Sequence, residues 1–501
     1  MKYSKIKDSV TTTGIPTKMD SDIKLPPRLR KKTVFFDCET TGLESKFGSI
    51  TQFACTSGTG HSEKSPAHIA NVRLPHGVLM HPTACLTTGL GFRDVTDPRR
   101  MSSYEFATKL VKYFSSLPQT AFVAFNSGFD VRFIEDFLYK NALDPYVLKK
   151  DGRIPLDARP FCLLGSMLKP TRQRIKILKS QTGRFDSSQV GLTCSNNLPS
   201  YLAHDAGADV KALAALWDLS IKTSSELIES LNLTMNKDQM RARVIEADYF
   251  LAPKFSATSG PSIEASVVLG RHLKYSNQDI CLRIDGIDQR QIRSGDLLRQ
   301  IHHGEGRKFI TTLKTNSGPI IALSDSKAVN DLITLEQHRR YTKIAQMAKA
   351  DPKFLEVAGR LLLDRMTQYA EPIYFEEKRI SGGFVGREDA LLLQKFHAAD
   401  PRKKAVFIGD LADQRLSYFC KQVLYNNWPQ YLSPKIVKEL DEEVAWRLTT
   451  NEKVPWLTIG DVMEEIERLL PDCLPRPRDM LNDYRADLLR LKRSPVRRKD
   501  L

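Results

Sequence analysis

Two apolar runs in this chain break off into acidic residues in the same way. Val34-Phe35-Phe36 continues as Asp37-Cys38-Glu39-Thr40-Thr41-Gly42, which predicts a buried aromatic strand with a polar end. Residues i and i+2 of a strand share a face, so Asp37 and Glu39 arrive together at one edge of a sheet. Phe122-Val123-Ala124-Phe125 leads through Asn126-Ser127-Gly128 to Val131, Phe133, Ile134, Phe137 and Leu138 at helical spacing. Asp130 then falls in the first turn of a helix, where an anion meets the favourable end of the dipole. A third stretch, His204-Asp205-Ala206-Gly207-Ala208-Asp209, opens a helix whose buried side carries Val210, Leu213, Ala214, Leu216 and Trp217. On one helix His204 and Asp209 would point roughly 140° apart, so they converge only if His204 sits on the loop before it. Taken singly, each stretch has an ordinary reading: a solubilising strand end, a helix cap, a surface histidine.

Past Leu219 the pattern changes. Ser224 to Met240 predicts a helix, and from Ala252 short apolar strands follow at Ala265 to Leu269, Ile280 to Ile284, Phe309 to Leu313 and Ile320 to Leu323, the pattern of a small β-rich domain. From about Leu332 helices dominate, among them Phe354 to Met366, Ala390 to Phe396, Arg415 to Tyr425 and Asp461 to Leu470. At 501 residues the chain is too long for one core and predicts roughly three domains.

Asp-x-Glu, then Asn-x-x-Phe-Asp, then His-x-x-x-x-Asp, in this order, resemble the DEDDh exonucleases of the ribonuclease-H-like superfamily. Within it the chain resembles the exonuclease I (exodeoxyribonuclease I) family: His204-Asp205-Ala206 with Ala208-Asp209-Val210 is similar to its last motif, and Ile50-Thr51-Gln52-Phe53-Ala54 to its second strand. Ile380-Ser381-Gly382-Gly383-Phe384 and Asn426-Asn427-Trp428-Pro429 resemble landmarks of its C-terminal helical region, so the match runs from about Lys32 to about Leu491. The resemblance implies an α/β fold, a ribonuclease-H-like exonuclease domain (a mixed sheet flanked by helices) followed by a small β-rich SH3-like domain and a C-terminal helical domain. The division expected is a basic flexible leader over 1–31, the exonuclease domain over 32–223, the SH3-like domain over 224–375, the helical domain over 376–491 and a basic tail over 492–501. It also implies a C-shaped basic channel enclosing single-stranded DNA, digestion from the 3′ end, a monomer, and docking of the acidic tail of single-strand DNA-binding protein.

The residue chemistry points the same way. Asp37, Glu39, Asp130 and Asp209 form an oxygen-only set suited to Mg²⁺, with Mn²⁺ as a substitute. Two ions about 3.5–4 Å apart would stabilise the attacking hydroxide and the leaving oxygen of an in-line displacement, releasing a nucleoside 5′-monophosphate. His204, which titrates near neutrality, is the natural general base. Tyr201-x-x-x-Asp205 fits a related pattern in which Tyr orients the water. His204 with Asp209 is preferred because a phenol titrating near pH 10 carries a proton poorly at working pH, and Tyr201 and Asp205 then read as packing and surface residues. Thr40, Thr41 and Asn126, which flank the acids, are DNA-contact candidates.

The formal net charge of +16 suits a polyanionic partner. Part of it is clustered: Lys169, Arg172, Arg174, Lys176, Lys179 and Arg184 fall within 16 residues that contain no acid, a basic lip or an ordinary solvated loop. Trp428, with Tyr425 and Tyr431 near Lys421, either stacks bases or packs between helices. The 8 cysteines form no Cys-x-x-Cys pair, which argues for reduced thiols and against zinc. No apolar stretch approaches a membrane span, and residues 1–31 lack the core of a secretory signal. A cytoplasmic, nucleoid-associated protein is expected. The enzymatic alternatives are a DEDDh exoribonuclease and a proofreading-type exonuclease. The non-enzymatic one is an inactive nuclease-like nucleic-acid-binding protein, which would be expected to have lost one of the four acids or His204.

Overall fold

The computed structural model describes residues 33–57, 68–168, 175–180, 182–199, 205–223, 227–367 and 371–494. The leader over 1–31 and the end of the basic tail lie outside them, as do Lys169, Arg172, Arg174, Tyr201 and His204.

The first sheet has six strands: β1 (Thr33–Thr40), β2 (Ile50–Ser57), β3 (His68–Arg73), β4 (Met101–Ser102), β5 (Ala121–Ala124) and β6 (Ile154–Asp157), in the order β4-β3-β2-β1-β5-β6. β1 pairs antiparallel with β2 and parallel with β5, and β5 is parallel to β6, so the sheet is mixed. Strand alternation divides β1 between two cores. Val34, Phe36 and Cys38 pack with Phe53 and Phe122 beneath helices α1 (Ser103–Ser115) and α2 (Gly128–Lys140). Phe35 faces the other way, onto Phe161 of α3 (Ala158–Met167) and Trp217 of α5 (Ala206–Thr223), whose ring it meets edge-on at 6.4 Å. Full burial of each such aromatic side chain contributes about 2–3 kcal/mol, enough to hold β1 as the central strand. A short helix, α4 (Gln189–Ser195), packs against α5 through Leu192 and Leu216.

The core under Phe35 continues into a second sheet. Its strands are β7 (Phe250–Ser256), β8 (Gly260–Arg271), β9 (Gln278–Arg283), β10 (Ile310–Lys314) and β11 (Ala322–Leu323), antiparallel in the order β10-β9-β8-β7-β11. Leu251, Ala265, Val267 and Ile280 share this core with Tyr341 and Ile344 of α6 (Leu335–Ala350) and Phe354 of α7 (Lys353–Thr367). The helix expected over Ser224 to Met240 is instead two, Ile228–Thr234 and Lys237–Glu246. Asn236 breaks it, because its backbone is extended and its side chain accepts from the N–H groups of Asp238 and Gln239, capping the second helix.

The C-terminal region is helical: α8 (Arg387–Ala398), α9 (Gln414–Asn427), α10 (Pro434–Thr449), α11 (Ile459–Leu469) and α12 (Pro475–Arg493). α12 runs through Arg493, so the segment read as a basic tail begins inside a helix. These helices close a third core over Leu74, Leu79 and Met80 from the loop after β3. No described helix is long and apolar enough to cross a membrane.

Candidate active site

Asp37 and Glu39 lie on the Phe35 face of β1, opposite Ala54 and Gln52 of β2. The register slips between Glu39 and Thr40, and an irregularity there re-aims the strand end at the edge of the sheet. Asp209 comes to the same face on the first turn of α5. Two contacts set where that helix starts: Ala206 donates its N–H to the Gln52 side chain at 3.0 Å, and Asp205 accepts the N–H of Ala208 at 2.9 Å as a cap. Gly207 lets the helix press onto β3, since a Cβ there would lie 2.5 Å from Cδ1 of Ile69. As a result, carboxylate oxygens of Asp37, Glu39 and Asp209 all fall within 4.8 Å of one another.

Asp130 arrives from the opposite layer. It is buried on the first turn of α2 and accepts the Cys38 N–H at 3.1 Å through Oδ1, which ties that helix to β1 between Asp37 and Glu39. The turn before it needs Asn126 in the left-handed region (φ 59°), a conformation Asn tolerates better than most residues, and Asp157 holds it by accepting the Asn126 N–H at 2.9 Å.

Electrostatically the cluster is short of positive charge. Burial, then the charges of Asp130, Glu39, Asp209 and Asp205, push Asp37 well above the usual carboxylate range. Burial with Asp209 and Asp205 pushes Glu39 up to about 7, and burial is the main cause raising Asp130 to about 8. Converging hard oxygen donors that repel one another are the setting that a divalent cation relieves, so the residues present fit such an ion. Asp37, Glu39 and Asp209 would hold it, while Asp130, bound to the Cys38 N–H between them, adds its charge to those that raise Asp37.

Other expected site residues fall elsewhere. Thr40 and Thr41 are buried: Thr40 Oγ1 donates to the Gly42 carbonyl at 2.8 Å, and Thr41 Oγ1 accepts the Ser49 N–H at 2.9 Å, so both hydroxyls serve the loop after β1. Lys176 and Lys179 are exposed, but their segment is anchored by buried Ile175, and Lys179 stands over the Phe185 ring. Trp428 packs edge-on against Tyr104 and beside Lys404, while Tyr425 is buried and donates to Asp441. Asp205, expected at the surface, caps α5 and adds its charge to the cluster. Sequence reasoning also passed over three supporting groups. Alternation along β2 could have found Gln52, opposite Glu39. Nothing in the local pattern marks Asp157, or Gln189, whose Nε2 donates to the Asp209 carbonyl at 2.8 Å. A cavity of about 1170 Å³ between the β3 loop and the C-terminal helices, lined by His76, Lys140, Asn426 and Arg447, includes none of the four acids.

The chain thus combines a mixed sheet flanked by helices, acids gathered at the end of its central strand, and an appended β-rich and helical region. No family model matches the chain. In sequence it is 24% identical over 220 residues to Exodeoxyribonuclease I of Buchnera aphidicola subsp. Schizaphis graminum, a match spanning 43% of this chain and less than half (45%) of that protein. In structure it is similar to E. coli Exonuclease I in complex with a dA16 oligonucleotide (TM-score 0.77, 17% identity, 91% of this chain and 100% of that one). It is similar also to SSB/Exonuclease I in complex with an inhibitor (TM-score 0.74, 18% identity, 93% and 100%). The chain therefore has the exonuclease I fold over nearly its whole length.

Proposed function

We propose that this protein is a divalent-cation-dependent exonuclease that degrades single-stranded DNA from the 3′ end to nucleoside 5′-monophosphates. The observation that carries the reading is the convergence of Asp37, Glu39 and Asp209 within 4.8 Å at the end of the central strand of this fold. Two Mg²⁺ ions bound there would polarise the phosphodiester and lower the pKa of a water. Asp37, Glu39 and Asp209 would hold that positive charge in place, and Asp130 fixes β1 through the Cys38 N–H. His204, outside the described residues, takes the proton from the attacking water. In this reading the enzyme is a cytoplasmic monomer of DNA repair and recombination that docks the acidic tail of single-strand DNA-binding protein. The SSB/Exonuclease I complex of the same fold supports that partner.

The test is a single-stranded oligonucleotide labelled at its 5′ end, incubated with Mg²⁺ or EDTA beside an RNA of the same sequence. A Mg²⁺-dependent ladder shortening from the 3′ end on DNA, absent for Asp209→Ala, is expected. RNA-preferred cleavage would reassign the enzyme to the exoribonucleases, and binding without cleavage would make it a nuclease-like binding protein.

A further inference from the structure

Arg159 lies in the first turn of α3, and its half-buried side chain crosses the seam between the six-stranded sheet and the second sheet. The guanidinium stands 5.5 Å over the Phe255 ring of β7 and donates Nη2 to the buried Ser187 hydroxyl at 2.9 Å, just before α4. Two links hold it beside the acids. Asp157 caps α3 by accepting the Arg159 N–H at 2.9 Å, and through the same oxygen it accepts the Asn126 N–H, fixing the turn into α2 and Asp130. Ser187 is two residues from Gln189, at most about 7 Å of backbone, and Gln189 donates to the Asp209 carbonyl. The side chain therefore runs between the turn that leads to Asp130 and the helix that supports Asp209.

What this cation lacks is an anion. Arg379, Arg415 and Arg447, which tie other elements together, each hold a carboxylate at 2.6–2.8 Å. Arg159 makes no ion pair among the described residues: its side chain has the Ser187 hydroxyl and the Phe255 ring. The acids beside it and beside Ser187 are engaged by backbone, Asp157 by the N–H groups of Asn126 and Arg159, and Asp186 by that of Ser188 at 2.8 Å. A guanidinium is weakly hydrated and offers a planar fork that matches phosphate oxygens, so a half-buried one with a free charge suits a phosphate. A second cation follows the same seam. The exposed Lys179 ammonium stands over the Phe185 ring, and Phe185, two residues before Ser187, donates its N–H to the Ala257 carbonyl in the turn after β7. Successive cations leading to a cluster of acids fit a phosphodiester chain that reaches a metal there, whereas the same acids would repel an acidic peptide.

We propose that Arg159 binds a backbone phosphate of the single strand close to the bond to be cleaved, an assignment that rests on the single-stranded-DNA reading above. Fluorescence anisotropy of a 5′-labelled oligonucleotide in EDTA, over a range of salt concentrations, tests it. Each phosphate contact on a single strand contributes about 0.7 to the slope of log K against log salt. Arg159→Gln should lower the slope by that amount and weaken binding at low salt about tenfold. Arg159→Lys and Ser187→Ala, which keep the charge, should keep the slope. A neutral methylphosphonate at one position near the 3′ end should weaken wild type by the same factor and leave Arg159→Gln unaffected. A wild-type slope in Arg159→Gln, or the same lost slope in Ser187→Ala, would make Arg159 a link between the sheets and overturn the phosphate assignment. So would an Arg159→Gln protein that binds DNA normally and loses only an acidic peptide. Wild-type protein that binds no oligonucleotide would instead overturn the functional reading beneath it. Circular dichroism checks the fold of each variant, and Arg159→Met, which keeps the apolar stem over Phe255, replaces Arg159→Gln if that variant does not fold.

Discussion

Gln189 shows how little of a charged site is carried by its charges. Its amide donates to the Asp209 carbonyl at 2.8 Å and reaches Oδ1 of the same residue at 3.5 Å, so it orients a carboxylate that two others repel. Removing such an outer partner typically lowers metal affinity 10–100-fold. Gln189→Ala should therefore weaken Mn²⁺ binding by about that factor in isothermal titration, with the melting temperature near wild type; unchanged affinity would show that Asp209 needs no support. At this scale Asp37 and Glu39 were legible because strand alternation is a local rule, and Asp130 and Asp209 because each opens an amphipathic helix. Asp205 was misread because its capping role depends on where the helix starts, which the Gln52 side chain of a distant strand helps to set.

Elements meet through groups whose titration reports the packing. His397 near the end of α8 accepts from or donates to the Tyr104 hydroxyl of α1 at 3.0 Å through Nδ1, and Nε2 lies 2.9 Å from the Ala142 carbonyl. Burial, and secondarily the Lys404 ammonium, push its pKa down to about 4, against about 6.5 in an unfolded chain. Between those values the unfolded chain binds a proton that the folded one refuses. Stability is therefore full above pH 6.5 and is lost as pH falls towards 4, by at most about 3 kcal/mol. Urea unfolding at pH 7 and pH 5 should show the loss in wild type and a smaller one in His397→Gln; equal losses would mean that His397 is protonated in the fold. The helices and strands of this scale were largely visible in hydrophobic periodicity. The exception, at Asn236, turned on a cap, since a side chain that competes for backbone N–H groups ends a helix the apolar pattern would continue.

Across the whole molecule the appended regions grip the six-stranded sheet through buried charge. Arg379 donates to Asp136 at 2.6 Å and to Glu135 at 2.7 Å, both on α2, and Asp136 also accepts from Ser45 in the loop after β1. The Ile-Ser-Gly-Gly-Phe and Asn-Asn-Trp-Pro landmarks flank such joints: Asn426 accepts the His76 N–H at 2.7 Å. Arg379→Ala would leave the buried Asp136 with only the Ser45 hydroxyl and Glu135 with only Lys149, a loss of about 3 kcal/mol read as a lower urea midpoint. Pairing Arg379→Met with Glu135→Gln and Asp136→Asn should recover part of it, and no recovery would mean the charges themselves are not what the joint needs. The sequence by itself determined the central strand, the order of the acids and the succession of an α/β, a β-rich and a helical segment, because apolar periodicity and residue chemistry act over a few neighbours. Only the tertiary structure decided that Asp37, Glu39 and Asp209 meet while Asp130 braces β1 from the other face, and that Thr40 and Thr41 turn inward. Those outcomes depend on which distant backbones approach closely enough to share a hydrogen bond or exclude a side chain, and local sequence does not encode that distance.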